Sequence, residues 1–382
     1  MCKMKRSNKV NFNERPILVF WETTKACKLA CKHCRAEAIE KPLPGELTTE
    51  EGIDFIDSLT EFGKPYPILI LTGGDPLMRQ DIYELIAHAK KKVPIGLAPS
   101  VTPMLSLDTV SKLRDLGVKS ISISLDGAKP ETHDGIRGIS NHFAETLKII
   151  KELISSGFHV QVNTTVMRNN VSELADILNL LLKLRVKVWE VFFLIKVGRG
   201  AETNDIMPAE YEDVMHFLFD ASMYGVKVRT VEAPFFRRVV KWRLNDKKSK
   251  PVLKYRLGSL YIYLSLRLRG LLGEPKGEPM AHVTESRDGK GIIFVSYSGD
   301  VYPSGFLPYS LGNIRVKRLS EIYRKNDMLI KIRAAKFKGK CGVCEYKDLC
   351  GGSRARAFAE YGDPLAEDPA CIYVPKGVLT IL

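Results

Sequence analysis

Between residues 17 and 197, short β-branched apolar runs alternate with amphipathic stretches, and this alternation restricts the fold more than any other feature. The runs fall at 17–22, 68–72, 95–101, 120–125, 160–166 and 188–195, each of strand length. Helical periodicity marks 49–62, 80–91, 107–116, 143–155 and 171–184 between them. Strands joined through helices run parallel, so the expectation is an α/β protein. Such a sheet either opens into a doubly wound layer or closes as a barrel, and periodicity alone does not choose. At 382 residues the chain is long enough for one large barrel or for two domains.

Chemistry concentrates at the cysteines. Of eight, seven fall in two tight clusters, a distribution that reads as metal binding rather than cross-linking. Cys2 stands apart and is assigned no role. Cys27, Cys31 and Cys34 occupy T-T-K-A-C-K-L-A-C-K-H-C, a C-x3-C-x2-C spacing directly after the first strand. Three thiolates can hold three irons of a [4Fe-4S] cube and leave the fourth iron without a protein ligand. A closed structural zinc site wants four ligands, and the common ferredoxin run is C-x2-C-x2-C with a distant fourth Cys. The alternative here is zinc, completed by His33 or a distant Cys. Downstream, Cys341, Cys344 and Cys350 are spaced C-x2-C-x5-C and Cys371 follows. That set serves either a zinc ion or a [4Fe-4S] cube.

A glycine pair follows the second strand in T-G-G-D-P-L, residues 72–77. Gly73 and Gly74 let the backbone approach a ligand closely, and Pro76 fixes the turn. Alone, the motif also reads as an ordinary strand-to-helix turn. Standing some forty residues beyond the cysteine triplet, it makes the chain resemble the radical SAM enzymes. That resemblance implies a partial (β/α)6 barrel of TIM type, with reactive groups at the C-terminal ends of the strands. It also implies a cube whose open iron chelates S-adenosylmethionine, and whose reduction cleaves the sulfonium to a 5'-deoxyadenosyl radical. Gly73, Gly74, Asp75 and Pro76 are similar to the family's Gly-Gly-Glu-Pro motif, which binds the amino group through backbone carbonyls; Asp75 is one methylene shorter. I-S-I-S-L-D-G at 121–127 resembles the fourth-strand motif whose Ser and Asp, here Ser124 and Asp126, face the ligand's carboxylate and ribose. Asn163 takes the fifth-strand position at the ribose. Arg137, in H-D-G-I-R-G, can either meet a carboxylate or tie down its own loop. V-G-R-G at 197–200 is placed against the adenine. His33 stands where the family has an aromatic beside the cube, and is read as a neighbour of the cluster.

The distal cysteines resemble the SPASM extension, which carries auxiliary [4Fe-4S] clusters. Full versions hold two, one of them using a Cys just after a hairpin. Here that hairpin is 294–306, turning at Gly299-Asp300, and Ser304 stands at the Cys position. A serine hydroxyl holds its proton too tightly to be a good cluster ligand, so one auxiliary cube is expected. H-C-R-A after the triplet, L-C-G-G-S-R-A-R-A-F-A and G-D-P-L-A-E-D-P-A-C-I-Y-V-P resemble the haem-biosynthesis branch. That branch decarboxylates Fe-coproporphyrin propionates or acts on haem d1 precursors. The resemblance implies an acidic tetrapyrrole substrate and an external electron donor such as a ferredoxin or flavodoxin. Arg35, Arg354 and Arg356, beside the cysteines, are expected to clamp a carboxylate. One rival is a peptide maturase; it usually carries an N-terminal clasping domain, for which the residues before the first strand leave no room. The other is a non-catalytic Fe-S carrier, which would not need a pocket at 73–76 and 124–126.

The formal charge of +14 gathers between Arg229 and Arg269, which suits an acidic substrate, a nucleic acid or an acidic electron donor. No nucleic-acid module accompanies it, so nucleic acid is not expected. No uninterrupted apolar run reaches membrane-spanning length, and the basic N-terminus lacks a signal-type apolar stretch, so the expected location is the cytoplasm. The expected divisions are an extension at 1–16, the barrel at 17–233, a basic connecting segment at 234–285 and a SPASM-like module at 286–382.

Overall fold

A computed structural model of the chain describes residues 10–246, 251–376 and 378; Cys2 and the lysines at 247, 248 and 250 lie outside them. Seven parallel strands come first: β1 (Leu18–Glu22), β2 (Ile68–Thr72), β3 (Ile95–Leu97), β4 (Ser120–Ser124), β5 (His159–Val166), β6 (Val188–Phe193) and β7 (Lys227–Val231). Helices connect them: α1 (Thr49–Ser58), α2 (Ile82–Lys92), α3 (Leu107–Asp115), α4 (Pro130–Arg137), α5 (His142–Ser155), α6 (Leu174–Lys183) and α7 (Pro208–Ala221). Then come α8 (Phe236–Asn245), α9 (Pro251–Tyr255) and α10 (Ser259–Leu272). The C-terminal part holds β8 (Arg287–Asp288), β9 (Gly291–Val295), β10 (Asp300–Tyr302), β11 (Gly312–Asn313), α11 (Leu319–Lys325), α12 (Asp327–Arg333), α13 (Gly339–Val343) and α14 (Arg354–Tyr361). The architecture is a partial TIM-type α/β barrel followed by a C-terminal iron–sulfur module.

Strand alternation divides the sheet into two faces. Val160, Val162, Trp189 and Val191 are buried against the helices, and each apolar residue of this kind contributes about 1.5–3 kcal/mol. Their neighbours Gln161, Asn163 and Glu190 are only partly covered and face the lumen. Strand β3 is shorter than the 95–101 run, because Pro99 has no N–H to continue the ladder. The six expected strands are joined by a seventh, β7, whose K-V-R-T-V sequence carries cations at its lumen positions and so lacks an apolar signature.

The C-terminal module joins this sheet instead of standing apart. Strand β9 pairs parallel with β1, Leu18 beside Ile292 and Phe20 beside Phe294, and the hairpin to β10 extends the sheet outward. Arg315, just past β11, binds Glu51 in the first turn of α1 at 2.6 Å and holds its carboxyl down at about 2. Helix α10, from the basic segment, packs on α6 and α7 and belongs to the outer helical layer. Three of that segment's arginines are paired internally: Arg238 with Glu212, Arg243 with Asp220 and Arg267 with Asp176. Among the described residues no helix is long and apolar enough to cross a membrane.

Candidate active site

The triplet lies in the loop leaving β1, at the C-terminal end of the parallel strands. Cys27 and Cys31 are buried and Cys34 half-buried, and none is in a disulfide. The glycine pair is packed directly on this loop: Gly74 N–H donates to Thr24 O at 2.8 Å and Asp75 N–H to Ala26 O at 2.7 Å. A Cβ on Gly74 would stand 2.4 Å from Ala26 O, so only glycine permits the approach. Ser100, just beyond β3, donates to Gly74 O at 3.2 Å and lies 3.6 Å from Cys27 Sγ. This bridging hydroxyl escaped sequence reasoning; its one signal is a position following a strand end.

Asp75 does not face outward. It is fully buried, accepting from Leu77 N–H at 3.1 Å, Ser100 N–H at 3.4 Å and Thr102 Oγ1 at 3.0 Å. Its role is to shape the 73–76 turn, with Pro76 buried at the start of the following 3-10 turn. Asp126, expected to face a ligand, is likewise enclosed: Thr165 N–H reaches one oxygen at 2.7 Å and Arg137 Nη2 stands 2.5 Å from the other. Desolvation opposes its charge, but the Arg137 and His33 side chains outweigh that and lower its pKa. The physical correction is that Asp126 orients Arg137, whose Nη1 lies 3.6 Å from Cys31 Sγ. Ser124 and Asn163 stand side by side on the lumen face, Asn163 Oδ1 accepting from Gln161 at 2.8 Å.

Behind Asp126 runs a buried histidine relay. Asp126 N–H donates to His133 Nδ1 at 3.0 Å, so the His133 proton sits on Nε2 and points to His142 Nδ1 at 2.8 Å. His142 Nε2 in turn donates to Val101 O at 2.9 Å. The order of donors requires both rings to be neutral, and burial pushes His133 down to about 3. His33 is half-buried, its pKa lowered to about 4 by desolvation, with Nε2 3.7 Å from Asp126. The 197–200 loop grips the triplet's backbone: Arg199 donates to Cys31 O and Ala38 O, both at 2.9 Å. His33 Nδ1, Arg137 Nε and Arg199 Nη2 are buried without a hydrogen-bond partner. Three soft thiols amid unspent donors fit a thiolate-ligated cluster with a further polar ligand.

The distal set gathers around one hollow. Cys341, Cys344, Cys350 and Cys371 line it with Phe235, Arg238, Tyr346 and Tyr373. Burial raises the Cys350 thiol to about 11 and the other three as well. Backbone N–H groups nevertheless point at sulfur: Tyr346 at Cys344, Gly352 at Cys350 and Asp368 at Cys341, each at 3.4 Å. Gly352 has φ +65°, and a Cβ there would crowd Cys341 Sγ at 3.0 Å. Among the described residues no three His, Cys, Asp or Glu side chains converge on a single-ion position. Zinc needs sulfurs at about 2.3 Å from one point, whereas thiols spaced around a hollow with amide donors suit a cube.

Two expected clamps are committed elsewhere. Arg354 is fully buried, donating to Pro364 O at 3.0 Å and Ala366 O at 2.6 Å. Arg356 pairs with Asp368 at 3.3 Å and reaches Leu194 O. Arg35 is committed too, 3.3 Å from Glu22 and stacked 4.6 Å over Phe294 and 5.8 Å from Phe306. Ser304 is buried beside Asp288, consistent with a packing role.

Residues 21–181 match the Radical SAM superfamily, and 287–346 match the SPASM iron-sulfur cluster-binding domain. The chain is 38% identical over 363 residues to the AdoMet-dependent heme synthase of Methanosarcina barkeri, covering 94% of this chain and 97% of that protein. A protein of the same description from Oleidesulfovibrio alaskensis is 37% identical over 366 residues, covering 94% and 88%. Among solved structures, Streptococcus suis SuiB bound to S-adenosylmethionine aligns with a TM-score of 0.68 at 13% identity, covering 94% of this chain and 78% of that one. This last likeness is one of fold.

Proposed function

Because this chain belongs to the radical SAM, SPASM-bearing family of AdoMet-dependent haem synthases, we propose that it converts propionate side chains of an iron tetrapyrrole to vinyl groups. It is an enzyme of haem-type biosynthesis that uses a three-cysteine [4Fe-4S] cluster, S-adenosylmethionine and an auxiliary [4Fe-4S] cluster. What supports the substrate reading is the likeness, over 94% of this chain, to the AdoMet-dependent heme synthases of Methanosarcina barkeri and Oleidesulfovibrio alaskensis.

Cys27, Cys31 and Cys34 would hold the first cluster, with Cys341, Cys344, Cys350 and Cys371 holding the auxiliary one. Bound at the first site, the cluster and S-adenosylmethionine supply a one-electron cleavage that yields a hydrogen-abstracting carbon radical. Gly73 and Gly74 offer carbonyls at the mouth, fixed by Ser100 on one side and by Asp75 beneath. Ser124 and Asn163 present polar groups from the adjoining strands. The closed helical layer behind the strands keeps bulk water and stray hydrogen donors from the lumen. Per side chain, the substrate loses one hydrogen atom from the carbon next to the ring, one CO2 and one electron, leaving a vinyl group. An auxiliary cluster at the distal cysteines would take up that electron. A peptide substrate is the competing outcome. Anaerobic turnover with iron coproporphyrin III decides: divinyl product supports the reading, and S-adenosylmethionine cleavage without decarboxylation overturns it.

A further inference from the structure

A cationic edge on β7 takes no part in the chemistry above. Val228 is fully buried against the helices, so Lys227 and Arg229 on either side of it face the lumen. Arg229 stands level with Glu190, which stands level with Asn163. Residues 280–282 run along the outer edge of β7, with Val228 N–H donating to Met280 O at 3.3 Å and His282 N–H to Val228 O at 2.8 Å. Val228 lies opposite Ala281, which turns the exposed His282 to the side of Arg229. Burial first, then Arg229 and Lys227, keep His282 neutral.

Arg229 differs from the other arginines of the interior. Arg35, Arg137, Arg238 and Arg356 each face a carboxylate within 3.3 Å. Among the described residues Arg229 makes no hydrogen bond and no ion pair, and its Nε is shut off from solvent. Lys227 has no such partner either. Glu190 stands level with Arg229 and is stabilised as a carboxylate by its charge, but already accepts from Gln161 at 2.7 Å. A half-buried guanidinium with unspent donors is costly unless an anion completes it. Its planar fork selects a carboxylate, and Lys227 adds a second charge. We infer that Arg229, flanked by Lys227 and His282, is a carboxylate subsite that holds a non-reacting propionate of the substrate at the open side of the barrel. This rests on the tetrapyrrole reading above, and supplies the carboxylate contact that Arg354 and Arg356 do not.

The test is anaerobic absorbance titration of the iron-loaded protein with iron coproporphyrin III and with its tetramethyl ester. Wild-type protein binds the acid more tightly than the ester, with an affinity that falls as salt rises. Arg229→Gln weakens acid binding about tenfold or more and leaves ester binding unchanged, while Arg229→Lys recovers part of the loss. A Lys227→Gln/His282→Gln double variant, at the rim, gives a smaller loss of the same kind. Iron content stays at the wild-type level throughout, since none of these residues is a cluster ligand. Equal weakening of acid and ester would mean that Arg229 merely balances Glu190, and would overturn the subsite. Wild-type affinity in Arg229→Gln would overturn it while leaving the tetrapyrrole reading intact. Failure of the wild type to bind either compound would overturn both.

Discussion

In the loop after β1 stand three thiols, Cys27 and Cys31 buried and Cys34 half-buried, whereas four thiols line the distal hollow, Cys350 buried and Cys341, Cys344 and Cys371 half-buried, beside Arg238, Tyr346 and Tyr373. The sulfurs of both sites receive N–H donors, from Leu29 and Arg137 at the mouth and from Tyr346, Gly352, Asp368 and Arg354 at the distal site. Ligand type is therefore shared, and the number of ligands differs. A cube with one iron free can bind a small molecule, while a fully ligated cube can only hold an electron. On the function proposed above, chemistry belongs to the first site and electron acceptance to the second.

The largest expected effect comes from removing one mouth ligand. Cys31→Ala should abolish S-adenosylmethionine cleavage and drop iron from about eight to about four per chain, read by iron counting and 5'-deoxyadenosine release. Cys350→Ala should cause the same fall in iron yet leave cleavage measurable, with only decarboxylated product lost. If Cys350→Ala also stops cleavage, the division of labour between the sites breaks. Arg137→Gln strips Asp126 of its buried partner, and should cost about 3–5 kcal/mol of stability in denaturant titration; a Lys in its place should recover part of that.

Legibility followed local physics. The first six strands announced themselves as short apolar runs, with helix-facing residues that are mostly β-branched or aromatic on β1, β4, β5 and β6 and leucines on β2. Strand β7 did not, since two of its five residues are lumen-facing cations, and the pairing of β9 with β1 depends on residues some 270 positions apart. The cysteines and the glycine pair were visible as spacings, and the fold brings Gly74 onto the triplet's loop. Invisible were Ser100, His142 and Asn170, single polar residues that donate to the carbonyls of Gly74, Val101 and Asp126, 26, 41 and 44 positions away. Arginine roles were the least readable: Arg354 and Arg356 sit beside Cys350 in sequence, but their guanidiniums are spent on backbone carbonyls and Asp368.

Two smaller effects sharpen the same contrast. His133 and His142 titrate below their unfolded value, so the stability they confer is complete above about pH 6.5 and declines as the pH falls toward the folded values. Urea midpoints should fall between pH 6.5 and 5, by up to about 1.4 kcal/mol per pH unit for each ring, and less steeply in His133→Gln. A flat wild-type profile would mean that the relay is not neutral. Ser100→Ala removes one hydroxyl between Gly74 O and Cys27, and should cost about 1 kcal/mol, seen as a several-fold rise in KM for S-adenosylmethionine with distal iron unchanged.

The most direct test of a three-thiol site with an open iron and a fully ligated four-thiol site is electron paramagnetic resonance of the dithionite-reduced variants, with and without S-adenosylmethionine. In Cys350→Ala, which keeps only the mouth cluster, adding S-adenosylmethionine should shift the g values. In Cys31→Ala, which keeps only the distal cluster, the spectrum should not move. A shift in Cys31→Ala, or none in Cys350→Ala, would contradict the assignment.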